Sequence, residues 1–149
     1  MQAYGYDNLY PQNLARITEA SGTAMLCINR YARFIEGYGF DSDILAALAM
    51  NLQGDTADDL LRNVAQDLAR FGGFALHVNY NVLGQVSSVS HVPFENCRLE
   101  ETDDKGNVAH VLLHPDWEQK KTRNGKRLMV NDKTIERINI FQSRPRHRS

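Results

Sequence analysis

The sequence predicts an α+β fold, with helices in the first half packed on a mainly antiparallel, twisted sheet in the second. Three observations carry this. Apolar residues up to Phe71 recur at helical spacing, and from Phe74 onward they alternate with polar ones. The change of period falls on Gly72-Gly73, a pair suited to the left-handed backbone that closes many helices. At 149 residues the chain fits one domain. Its expected extent is 1–141, helical over 11–71 and β-rich over 74–141, followed by a disordered basic tail, 142–149.

The elements are expected in this order. Met1–Tyr10 interleaves Tyr4, Tyr6 and Tyr10 with Gly5 and Asn8 and has no period, so it reads as an arm lying on a surface, docked on the body or on a neighbouring subunit, or else as a terminal segment prone to disorder. Pro11 suits a first helical turn, and Leu14 and Ile17 extend a short helix to Ala20. Ser21-Gly22-Thr23 breaks and caps. The helix from about Thr23 to Glu36 places Ala24, Cys27, Ile28, Tyr31 and Ile35 on one stripe, widened by Ala32 and Phe34, and Gly37 ends it. Gly37-Tyr38-Gly39-Phe40 is a tight loop. Asp41 or Ser42 caps a third helix through Ile44, Leu45, Leu48 and Leu52, ended by Gly54. Thr56 and Asp59 resemble a capping box for a fourth helix, buried along Leu60, Leu61, Val64, Leu68 and Phe71.

Phe74–Tyr80 and Gln85–Val92, joined by Asn81-Val82-Leu83-Gly84, predict a hairpin, which Pro93 stops. Phe94–Glu100 is a short strand or bend. A polar turn at 103–107 leads to a strand over Val108–His114, and Pro115 introduces Trp117, the one tryptophan. Asn124-Gly125 signals another hairpin. Ile135, Ile138 and Ile140 with Phe141 suggest a last strand.

Composition excludes several classes. With 42% hydrophobic and 23% charged residues and a net charge of −1, the chain has no broad basic face for a phosphate backbone. Arg144, Arg146 and Arg148 make the extreme C-terminus basic, a weak candidate for nucleic-acid contact. No apolar run approaches the length of a membrane span, and no signal-peptide core precedes the first helix. The expected setting is cytoplasmic, without membrane contact and with Cys27 and Cys97 reduced. Cys27 reads as a small buried hydrophobe.

No arrangement of residues announces catalysis. His77, His91, His110 and His114 crowd the β half, but a strand puts His110 and His114 about 13 Å apart, too far to share a zinc. Hairpin pairing leaves His77 and His91 as a possible neighbouring pair. Ser87, Ser88 and Ser90 lie in a strand and not at a nucleophile elbow. Cys97 beside Arg98 is a common pairing and a poor sign of a reactive thiol. Asp58-Asp59 suits a helix N-terminus. The expectation is therefore no enzyme, no metal and no cofactor.

Four segments, taken in order, resemble the portal proteins of tailed bacteriophages in the version found in Bacteroidetes phages and prophages. They are Cys27-Ile28-Asn29-Arg30 leading to Gly37-Tyr38-Gly39-Phe40; Gly72-Gly73-Phe74-Ala75-Leu76-His77-Val78; His91-Val92-Pro93-Phe94-Glu95-Asn96-Cys97-Arg98; and His114-Pro115-Asp116-Trp117. Together they span about Thr23 to Trp117 and correspond to an N-terminal part of the subunit, in the wing and body of the ring. The resemblance implies a virion structural role: self-association into a capsid-vertex ring, contact with capsid and terminase proteins, and DNA only in transit through the complete ring. Gly37, Gly39, Gly72 and Gly73 would then serve backbone geometry, Pro93 and Phe94 a strand exit, and Trp117 an apolar anchor, with Arg98 closing the third motif. Portal subunits run to several hundred residues and carry stem and clip segments beyond this point, so the chain is expected to be a truncated fragment of that family. Two other functions compete with this one. The first is a protein-interaction module using the aromatic N-terminal arm or a sheet edge; the second is a metal-dependent hydrolase built on the β-half histidines.

Overall fold

The computed structural model describes residues 1–118, 130 and 132–140. It is of the α+β class, but the strands form two antiparallel sheets instead of one. The chain divides into two compact units: Tyr10–Glu95, and Met1–Leu9 together with the chain from Asn96 onward. The hairpin that follows the double glycine therefore belongs with the helices.

In the helical unit, α1 spans Tyr10–Ala20, α2 Gly22–Glu36, α3 Asp43–Ala46 and α4 Ala57–Phe71. Ser21 caps α2 by accepting from the Ala24 N–H, and Gly37 ends it. Thr56 and Asp59 form the expected reciprocal capping box on α4. At its other end Gly72 takes φ 74°, where a Cβ would crowd the carbonyl, and its N–H bonds the Leu68 carbonyl at 3.0 Å. Helices α2 and α4 lie antiparallel, with Arg62–Glu36, Gln66–Asn29 and Arg70–Met25 contacts as successive rungs. Between them sit Ala32 and Ala65, both fully buried and small enough to let the backbones approach closely.

Two expectations fail here for one reason, the line along which α2 meets α4. That line runs through Met25, Ala32 and the rungs at Asn29 and Glu36, so Cys27, Tyr31 and Phe34 face outward. Cys27 is exposed, not buried. Ile17 of α1 is likewise exposed, and α1 buries Pro11, Ala15 and Thr18 instead.

The third helix is one turn, not a helix reaching Leu52. After Ala46 the backbone is taken by other partners. Met50 N–H bonds Asp55 O at 2.8 Å, Ala49 bridges Thr56, and the Asn51 carboxamide oxygen accepts from Gln53 and Asp55 N–H. Such side-chain capture of backbone donors competes directly with helix hydrogen bonding. Ile44 and Leu52 are left exposed.

Strands β1 (Ala75–Tyr80) and β2 (Val86–Val92) form the expected hairpin, with Val78 opposite Val89 and a bulge near Asn79/Tyr80. The second unit holds β3 (Cys97–Leu99), β4 (His110–Leu113) and β5 (Glu136–Asn139) in that order across an antiparallel sheet. Arg98 opposes Leu112, which opposes Arg137, so these three share a face. The N-terminal arm is ordered on this sheet: Gln2 N–H bonds Leu99 O at 2.8 Å, and Asn8 is buried. Of the readings the sequence leaves open for the arm, the structure has it docked on the body and not disordered, held by contacts to residues distant in sequence that no local period encodes. The Asn124-Gly125 turn, Phe141 and the tail 142–149 lie outside the described residues.

Candidate functional site

The densest polar constellation is built around Arg98, in the second unit. Strand alternation turns its side chain onto the face shared with Leu112, and it is 0% exposed. Its Nε donates to Asn8 Oδ1 at 2.8 Å, one terminal nitrogen to Asn8 O at 2.6 Å, and the other to Cys97 O at 2.7 Å. The guanidinium carbon lies 4.9 Å from the Tyr4 ring centroid and 5.0 Å from that of Trp117, which places the cation among aromatic faces. Trp117 is itself pinned by its indole N–H to Asn96 O at 2.8 Å. Asn8 completes the clasp: Oδ1 also accepts from Tyr4 N–H at 3.0 Å, and its backbone adopts φ 60°, which asparagine tolerates better than most residues.

Electrostatics follow from this enclosure. Burial lowers the Arg98 pKa to about 10, against smaller raising effects from Tyr4 and Cys97, so the group stays cationic at neutral pH. Burial raises the Tyr4 phenol above its ordinary value, opposed by the Arg98 charge. The planar fork that makes arginine a good anion receptor is committed here to carbonyl oxygens of its own chain.

Beside the clasp is a cavity of about 350 Å³ whose lining includes Trp117, Leu112, Ile135, Glu100, Asp132 and Arg137. Its three charged side chains all have partners. His110 Nδ1 bonds Glu100 Oε2, and Arg137 bonds Asp132 Oδ1 at 2.7 Å. His114 is engaged elsewhere, accepting from Asp116 N–H at 3.0 Å and sharing a hydrogen bond with Thr134.

The other predicted residues form a junction in the helical unit. Gly72 closes α4, and Gly73 leaves no room for a side chain, since a Cβ there would stand 2.9 Å from Phe94 Cε2. The Phe94 ring stacks on Phe71 at 5.6 Å. Asp67 ties the assembly together, its Oδ2 accepting from His91 Nε2 at 2.8 Å and from Phe94 N–H at 3.1 Å. Pro93, exposed, stands between these anchors. Gly39 has φ 82°, and a Cβ there would meet the Asp58 carboxylate at 2.8 Å, the group that accepts from Phe40 N–H. Gly37 serves only as the α2 cap.

The structure thus brings Arg98 together with Trp117, and Gly72 and Gly73 together with Phe94. It separates the histidines. His77 pairs with Ser90 and His91 with Leu76, so the two imidazoles point to opposite faces of the hairpin. Among the described residues no three His, Cys, Asp or Glu side chains are grouped to hold a metal ion. Arg144, Arg146 and Arg148 lie outside the described residues. Sequence reasoning missed Asn8 and Asp67. Asp67 was findable, because it follows Leu60 by seven positions and Val64 by three on the apolar stripe of α4, where a carboxylate needs a partner.

No helix among the described residues is long and apolar enough to cross a membrane. Comparisons of this chain with protein-family models, curated proteins and solved structures find no match.

Proposed function

We propose that this chain is a non-catalytic structural protein resembling part of a phage portal subunit, acting through contacts with further copies and with capsid and terminase proteins. One observation carries the reading: the Arg98 fork, the group best equipped to bind a substrate anion, donates to Asn8 O, Asn8 Oδ1 and Cys97 O instead. The residues of the portal-like motifs follow suit. Gly72 and Gly73 shape a turn, Phe94 packs on Phe71, and Trp117 covers Arg98. Each of these contacts is of the kind a scaffold makes, which supports the reading. DNA would be a passing partner of a complete ring, in the cytoplasm during assembly and in the virion afterwards.

The test is assembly. Purified chain is mixed with the major capsid and large terminase proteins of a portal-bearing Bacteroidetes phage, then analysed by mass photometry and negative-stain microscopy. Co-migration with either protein, or closed rings, is expected. Absence of both association and rings at tens of micromolar overturns the reading. A second reading, an interaction module, is favoured at one place only. The N-terminal arm is occupied by β3 and Arg98, whereas among the described residues β1 pairs with β2 alone.

A further inference from the structure

We infer that the outward face of α2 and the loop after it form a two-fold interface with a second copy of this chain, Arg30 and Arg33 of each copy facing Asp41 and Asp43 of the other. The inference goes beyond the portal-like reading, since a two-fold pair is closed and needs neither capsid nor terminase.

It starts from where charge is left over. In the helical unit Arg62 is bonded to Glu36 and Asp59, Arg70 to Glu19, and Asp67 to His91. Arg30, Arg33, Asp41 and Asp43 are exposed, and among the described residues their side chains have no hydrogen bond or ion pair. The two cations precede Phe34 and Tyr38 in the chain and the two anions follow them, so one short stretch carries both signs unmatched.

The apolar part of the surface is set by the α2–α4 contact. With Met25, Asn29, Ala32 and Glu36 turned toward α4, the helical period leaves Leu26, Arg30 and Arg33 in one outward row and Cys27, Tyr31 and Phe34 in the next. Phe34 is 82% and Tyr31 56% exposed, and Tyr38 is fully so. The turn that carries Tyr38 is held by its own backbone: Gly37 and Gly39 take φ 62° and 82°, Gly39 N–H bonds Glu36 O at 3.2 Å, and Phe40 N–H bonds Asp58 Oδ1 at 3.1 Å. Tyrosine and arginine side chains dominate the energetics of protein interfaces, and a backbone already in place lowers the cost of ordering them.

A second copy is the occupant because the stretch complements itself. A polyanion or an acidic peptide would match Arg30 and Arg33 and be repelled by Asp41 and Asp43; a basic partner would do the reverse. A two-fold axis beside Tyr38 satisfies all four, each cation pair meeting the other copy's anion pair. An isologous interface uses one patch twice and requires this pairing of its unlike ends. The area suffices. At roughly 150–250 Å² for each fully covered aromatic side chain, Tyr31, Phe34 and Tyr38 offer about 400–600 Å² at their exposures. Leu26, Ile44 and the four charged side chains, all exposed, bring the patch to the roughly 800 Å² per partner of a stable complex.

Sedimentation velocity of the full chain from about 5 to 300 μM, under reducing conditions that keep exposed Cys27 from cross-linking, should show a monomer–dimer equilibrium that weakens as salt screens the charges. The double variant Arg30→Glu with Arg33→Glu, and the double variant Asp41→Lys with Asp43→Lys, should each weaken the dimer at least about tenfold while leaving the circular dichroism unchanged. Mixed in equal amounts, the two variants should pair again to within about threefold of wild type, because each then meets opposite charge at both ends of the interface. Tyr38→Ser, which alters no charge, should weaken the dimer as well. A wild-type monomer throughout the range overturns the inference. So does association that either reversal leaves intact, a mixture that stays monomeric, or assembly that grows past the dimer with concentration.

Discussion

Arg98→Ala is the perturbation whose consequence the structure specifies most fully. Removing the guanidinium strips donors from Asn8 O, Asn8 Oδ1 and Cys97 O, though Oδ1 keeps the Tyr4 N–H. Two buried carbonyls then lack this donor, at about 1–3 kcal/mol each. Loss of the cation from between Tyr4 and Trp117 adds about 0.5–2 kcal/mol per ring. Against this, the mutation relieves a desolvation cost: a pKa lowered from 12.5 to about 10 corresponds to about 3 kcal/mol. Taking the middle of each range, the net is a destabilisation of about 3–4 kcal/mol, a large share of a small domain's stability. Arg98→Lys keeps the charge but not the fork, and should recover less than half. Trp117, the single tryptophan, touches the mutated side chain, so urea unfolding followed by its fluorescence reports on this unit directly. The reasoning is refuted if Arg98→Ala unfolds at the wild-type midpoint, or if Arg98→Lys behaves as wild type.

Two further outcomes test the helical unit. Gly73→Ala drives a methyl to 2.9 Å from Phe94 Cε2 and should cost about 1–3 kcal/mol by thermal unfolding, with Phe94→Leu, which shortens the opposing side chain, restoring part of it in the double mutant. Thr56→Ala breaks the reciprocal cap on α4 and should cost about 1 kcal/mol. The same cap predicts an acid response. Hydrogen bonds from Thr56 lower the Asp59 pKa below its ordinary 3.8, so its contribution is present above that value and is lost as pH falls through the lower folded one. Far-ultraviolet dichroism between pH 5 and 2 should therefore show Thr56→Ala losing less helix on acidification than wild type.

Legibility in the sequence tracked how local the responsible interaction is. The capping box, the α2 cap at Ser21, the helix closed by Gly72 and the hairpin over 75–92 all depend on residues a few positions apart, and all were readable. The third helix was over-extended because its apolar spacing was sound while Asn51 redirected the backbone. The buried stripe of α2 was misaligned because periodicity defines a face only to within about a turn of neighbours, and the partner helix selects the line. Arg98 and Trp117 were both named from motifs. Their meeting was not readable, since it needs Asn8, 90 positions away in the chain.

What the sequence determined by itself was therefore the α+β class and the punctuation of helices and hairpin, because turn and cap chemistry acts over three to five residues. Tertiary structure alone decided that the strands split into two sheets, that the tyrosine-rich arm is held against β3, and that an arginine lies enclosed by aromatic rings. Those outcomes depend on which distant groups satisfy each buried donor and acceptor. That choice is made by packing, and no period along the chain records it.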